Sequence, residues 1–105
     1  MATPKVTTTA PDGTVHSRRS PRPYTHALLV YQVKRSDYNR ERREYEIVDC
    51  APSWWVLSWH MGEANAHKAL HARSARFQVG LGNRVEMALT NLGEAQRRYI
   101  TEAAR

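Results

Sequence analysis

Pro52-Ser53-Trp54-Trp55-Val56-Leu57-Ser58-Trp59-His60 holds all three tryptophans of the 105-residue chain within six positions. Indole rings bury large apolar areas, so the core is expected to form around this stretch. From Trp54 to His60 the residues alternate as in a strand. Trp55, Leu57 and Trp59 then lie on one side, and Trp54, Val56, Ser58 and His60 on the other. The first set is the better core set. Unless helices cover both faces, either Trp54 or the Trp55/Trp59 pair reaches the surface. Trp54, with Tyr24 and Tyr31, is therefore the candidate for contact with a protein partner.

Upstream, Val6-Thr7-Thr8-Thr9 and Thr14-Val15-His16-Ser17 read as strands around Pro11-Asp12-Gly13, which predicts an N-terminal hairpin within residues 1–20. Arg18-Arg19-Ser20-Pro21-Arg22-Pro23 follows. Its prolines interrupt any ladder, so residues 21–23 form a stiff connector that displays arginines. Tyr24 to Val33 is apolar on both faces and is expected to be a central strand.

Ser36 to Asp49 reads two ways. Ser36 as a cap, Asp37 in a first turn and Arg42/Glu46 at i, i+4 suggest a charged helix or helical turn over about 36–46. Glu44-Tyr45-Glu46-Ile47-Val48, in contrast, alternates as a strand does. Downstream of the tryptophans, Glu63 to about Ala75 is alanine-rich and helix-favouring, with Ala66, Ala69, Leu70 and Arg73 on one side. Phe77 to Asn83, with Gly80 and Gly82, reads as a turn or short strand, and Val85, Met87 and Leu89 alternate after it. Leu92 to Arg105 has the pattern of a last helix. The expected fold is a single α+β domain over 1–105. It has a small mixed or mainly antiparallel sheet, two or three helices packed on one face, and a body over 24–105.

The formal net charge is +6, and its distribution is uneven. Residues 1–35 carry Lys5, Arg18, Arg19, Arg22, Lys34 and Arg35 against Asp12 alone, whereas the remainder is nearly balanced. This asymmetry points to nucleic acid or an acidic protein surface as the partner, with Arg18, Arg19, Arg22, Lys34 and Arg35 on the anion beside the rings of Tyr24 and Tyr31. Arginine outnumbers lysine thirteen to three. Bidentate phosphate recognition and a GC-rich genome both produce that ratio. With 41% apolar and 25% charged residues the composition is that of a globular chain with a modest core, not of a disordered one.

Catalytic and metal-binding patterns are sparse. His67 and His71 stand four apart on the helix predicted over 63–75, as helical metal sites require, and Cys50 and His60 are the remaining ligand types nearby. Lys68 occupies the place where an HExxH motif has glutamate, and two solvated histidines account for the spacing equally well. Glu63, His67 and His71 also form an acid/base set in principle, but such charge pairs are usual on exposed helices. There is no nucleophile elbow and no phosphate-binding glycine loop, so the chain is expected to be non-enzymatic and to use no cofactor. A metal-dependent enzyme on His67 and His71 is the third reading. The single cysteine forbids an intramolecular disulfide. No apolar run approaches the ~20 residues that span a bilayer, which suggests a soluble, cytoplasmic chain with no membrane partner.

Three segments carry a resemblance: Pro11-Asp12-Gly13-Thr14, Ser20 through Pro23-Tyr24-Thr25-His26-Ala27, and Trp55 to His60 followed by the alanine-rich helix. Together, over residues 10–75, they resemble small orphan proteins of actinobacterial phages and prophages. That resemblance implies an accessory protein that binds host proteins or nucleic acid. It carries no site residues. The sequence therefore leads to a small basic binding protein that contacts nucleic acid through an N-terminal arginine surface. The alternative is an effector that binds a host protein through a Trp/Tyr surface.

Overall fold

The computed structural model describes residues 5–91 as β1 (Lys5–Thr9), β2 (Val15–Arg19), β3 (His26–Asn39), β4 (Glu44–His60), α1 (Glu63–Leu70), α2 (Arg73–Leu81) and β5 (Arg84–Leu89). β1 and β2 pair around the Pro11–Gly13 turn. β3 lies between β4 and β5 in a second sheet, and all pairings are antiparallel. The α+β expectation holds at that level, with sheet predominating and two helices among the described residues. The helix expected over 92–105 lies outside them.

β3 is central because Ala27, Leu28, Leu29 and Val30 are apolar toward both faces, and each is at most 1% exposed. On one face Leu29 packs with Trp54 and with Ala10 of the hairpin. The inward residues of β1, Val6 and Thr8, are fully buried, and Thr8 Oγ1 donates to the Leu89 carbonyl at 2.9 Å. A bridge between Thr7 and Asn91 fastens the hairpin to the chain leaving β5. Leu28 and Val30 point to the other face, where α1 and α2 lie against β3 and β5. Ala66 and Ala75, both fully buried, let these helices approach closely.

The helix considered for 36–46 is not formed. β3 and β4 continue as a two-stranded ribbon to the Asn39–Glu44 pair, closed by residues 40–43. Asn39 Oδ1 accepts from the Glu41 and Arg42 N–H groups at 3.0 and 3.1 Å, and Arg43 takes the left-handed conformation at φ 55°. The Arg42–Glu46 pair exists at 3.5 Å, but it spans a turn and a strand. Each strand of the ribbon pairs its inward-facing N–H and C=O groups with the other, whereas a lone polar helix here has no packed face to stabilise it.

Strict alternation through the tryptophans is also corrected. Leu28 pairs with Ser58 but Leu29 with Val56, so Leu57 is an extra residue, a β-bulge. Trp54, Val56 and Trp59 consequently share the face of Tyr31, Leu29 and Ala27, while Trp55, Ser58 and His60 share the helix face. Trp54 is only 8% exposed, stacks on Tyr31 at 5.0 Å and 22°, and is scaffold. A second irregularity, between Gln32 and Lys34, accommodates Pro52, which cannot donate to a ladder.

The helix expected to run to Ala75 stops at Leu70, and α2 replaces the turn or strand expected at Phe77–Asn83. Gly82, not Gly80, is the terminator. Its φ of 103° and the Gly82 and Asn83 N–H bonds to Val79 and Gln78 carbonyls make a left-handed helix cap. Asn83, 4% exposed, then ties that cap to β3. Its Oδ1 accepts from Val33 and Lys34 N–H at 2.8 and 3.0 Å, and its Nδ2 donates to the Lys34 carbonyl and Gln78 Oε1 at 2.9 Å each. Asn83→Ala strips partners from three backbone groups, each costing about 1–3 kcal/mol if left unpaired. Urea denaturation should show a loss of roughly 3 kcal/mol or more with an unchanged m-value.

Candidate nucleic-acid interface

The connector between β2 and β3, expected to run extended, bends at Pro21 and Arg22, where the prolines and two local turn bonds fix its path. Arg22 N–H donates to Ser20 Oγ at 3.1 Å, and Tyr24 N–H donates to the Arg22 carbonyl at 2.9 Å. This path brings Arg22 and Tyr24 beside the end of β4. Thr25 locks the junction: its N–H donates to the His60 carbonyl at 3.0 Å, and its hydroxyl accepts from Gly62 N–H at 2.8 Å. A cleft of about 500 Å³ results, bounded by Arg22, Tyr24, Trp59 and His60 and, from α1, by Asn65 and Lys68.

The cleft has an aromatic floor and a cationic rim. Trp59 is half-buried and lies 6.4 Å from Tyr24 at 47°, and the Arg18 guanidinium stands 5.1 Å over the Tyr24 ring. Tyr24 is 7% exposed, so its ring supports the site from behind. The five ion pairs among the described residues are Lys34–Asp49, Arg35–Asp37, Arg42–Glu46, His67–Glu63 and Arg84–Glu86. None involves Lys5, Arg18, Arg19, Arg22 or Lys68.

The basic residues singled out in the sequence do not form one patch. Arg18 and Arg19 leave opposite faces of β2. Arg18 lies opposite Val6 and points to the body, while Arg19 lies opposite Lys5 on the outer face. Lys34 and Arg35 sit on the far half of β3 and are tied to Asp49 at 2.7 Å and Asp37 at 3.1 Å. Among the rings, Tyr31 is covered on one side by Trp54 and approached by the Arg84 guanidinium at 5.7 Å, so neither Trp54 nor Tyr31 offers a free aromatic surface. Trp59, Asn65 and Lys68 were missed as site residues. Strict alternation assigns Trp59 to the core set, an alternation the bulge breaks, and no local pattern links Lys68 to Arg22, 46 positions earlier.

The histidine set is dispersed. His71 is the C-cap residue of α1, beyond its last turn, and His67 faces Glu63 at 3.4 Å with both side chains mostly exposed. No cluster of three or more His, Cys, Asp or Glu side chains suited to a metal occurs among the described residues. Cys50 is a half-buried free thiol in the β4 irregularity. No described helix is long and apolar enough to cross a membrane.

The chain matches no protein-family model, no curated protein and no solved structure, so the reading of the cleft rests on its own residues.

Burial, and then the proximity of His26 directly across the sheet, holds the His60 imidazole below its usual 6.5. Its neutral ring sits 2.7 Å from Ser58 Oγ. The unfolded chain therefore takes up this proton first, so stability is full above about 6.5 and declines as pH falls through the lowered value. Urea midpoints at pH 7.5 and 5.5 should show that loss, and His60→Gln should flatten it.

Proposed function

We propose that this protein binds single-stranded nucleic acid, with the backbone tracking Arg18, Arg22 and Lys68 and one base entering the cleft against Trp59. One observation carries the reading: Arg22 and Lys68, neither with a carboxylate partner, line an aromatic-floored cleft, and Arg18, likewise unpaired, stands over the Tyr24 ring beside it. Unneutralised cations release counterions when they meet phosphates, and stacking on an aromatic ring accepts any base. The concave site favours a splayed base over a duplex, whose bases are already stacked. Lys5 and Arg19, on the outer face of the hairpin, extend the path of the backbone. The reading agrees with the resemblance to actinobacterial phage accessory proteins and with a non-enzymatic, cytoplasmic role. The Trp/Tyr effector surface is the weaker reading, because Trp54 and Tyr24 are buried.

Fluorescence anisotropy with a labelled oligothymidylate tests it. With about four phosphate contacts, affinity should fall roughly fiftyfold between 50 and 200 mM salt. Arg22→Ala and Lys68→Ala should each reduce the logarithmic salt slope by about 0.7. Trp59→Ala should weaken binding about tenfold or more, from the ~1–3 kcal/mol that a stacked base contributes, without changing that slope. Absence of binding at 50 mM salt would overturn the proposal.

A further inference from the structure

Between Glu63 and Arg84 the two helices carry Lys68, Arg73 and Arg76 and no acidic side chain. Lys68 belongs to the cleft already described. Arg73 and Arg76 do not, and none of the five ion pairs among the described residues involves either. Both are exposed, and Phe77 beside them is 54% exposed. At ~100° per residue, Arg76, Arg73 and Phe77 fall within an arc of about 100° on α2. That arc lies opposite Ala75, whose full burial turns the other side of the helix to the body. Gly80 falls inside the same arc. It has no positive φ, and a Cβ there would meet nothing within 4 Å, so the surface beside the ring is open. Two hollows meet at Arg73 and Phe77. One, of about 580 Å³, is bounded further by Ala72, Ser74 and Gln78, and the other, of about 490 Å³, by Arg76. Ala72 also bounds the Trp59 cleft, so the two sites adjoin at the turn between the helices.

The chemistry of the patch selects its ligand. An exposed phenyl ring offers a stacking face to any base, and guanidinium groups on the same arc supply planar, bidentate phosphate contacts. A membrane surface is another polyanion that a basic helix meets, but insertion needs the apolar side chains gathered on one side. Val79, the other large exposed apolar side chain of α2, stands about 160° around the helix from Phe77, so no such side exists. Adjacency decides between nucleic acid and an acidic protein. A single strand laid along Arg22 and Lys68 reaches Arg73 by continuing over Ala72, and a second contact on the same strand then forms at the high effective concentration of a tethered ligand.

We infer that Arg73, Arg76 and Phe77 form a second stacking subsite for the same strand, a base lying on Phe77 and its flanking phosphates on the two arginines. The inference rests on the nucleic-acid reading of the cleft and extends it to α2. Fluorescence anisotropy with labelled oligothymidylates of about 4 and about 16 nucleotides, the range of single-strand site sizes, separates the two sites. On the longer strand Phe77→Leu should weaken binding at least fivefold, the lower end for one stacked base, while Phe77→Tyr, which keeps the ring, should retain wild-type affinity. Arg73→Gln and Arg76→Gln should each lower the logarithmic salt slope by about 0.7. The short strand, held by the Trp59 cleft alone, should lose affinity to Trp59→Ala and not to Phe77→Leu. The α2 substitutions are at exposed positions, and far-UV spectra should match wild type. If Phe77→Leu leaves the longer strand's affinity unchanged while Trp59→Ala lowers it, the α2 subsite is overturned and the cleft stands. Sensitivity to Phe77→Leu without sensitivity to Trp59→Ala would support the α2 subsite and remove the cleft. Binding of neither strand at about 50 mM salt would overturn both and leave the patch to an acidic protein.

Discussion

The extra residue at Leu57 is the constraint on which the rest of the molecule depends. Side chains of a strand alternate with a period of two, so one inserted residue reverses the face of everything beyond it. Before the bulge, Trp54 and Val56 face the hairpin and enter the core with Leu29. After it, Trp59 returns to that same face, opposite Ala27, and stands beside Tyr24. Without the bulge Trp59 would lie on the opposite, helix-facing side of the sheet. The same step puts His60 across from His26, where burial and then the neighbouring imidazole hold its pKa below the usual value.

Electrostatics divides the molecule along β3. On the arm that β3 and β4 form from Lys34 and Asp49 to the turn, cations and carboxylates are equal in number and Lys34, Arg35 and Arg42 are paired; Lys5, Arg18, Arg19, Arg22 and Lys68, at the hairpin and α1 end, are not. Exposed pairs of this kind contribute at most about 1 kcal/mol each. Their importance lies in what they remove from the long-range field. Lys34 is tied to Asp49 and Arg35 to Asp37, so the unpaired cations that meet an anion at the cleft are Arg18, Arg22 and Lys68. Asn83 holds the two regions in one body by joining the α2 cap to β3 where the arm begins.

Much of the fold is legible in the chain. Pro11-Asp12-Gly13 specifies a tight turn, the Asp12 carboxylate accepting from Thr14 N–H at 2.9 Å. The doubly apolar run from Ala27 to Val30 identifies the strand buried on both sides. Alternation at Val85, Met87 and Leu89 marks β5, and alanines marked the helical segment containing Ala66. The ambiguity at 36–49 was equally real, because capping signals and strand alternation coexist there. Pairing with β3 decided it, since a long antiparallel partner pairs the facing backbone groups of both strands.

By itself the sequence determined the N-terminal hairpin, the doubly apolar central strand, the alanine-rich helix, the uneven charge and the clustering of tryptophans, because these follow from residue periodicity and composition. Tertiary structure alone decided which tryptophan is scaffold, which arginines are neutralised and that Lys68 joins Arg22 at one cleft. The physical reason is that register, bulges and ion pairing depend on partners distant in the chain, and no local pattern records them.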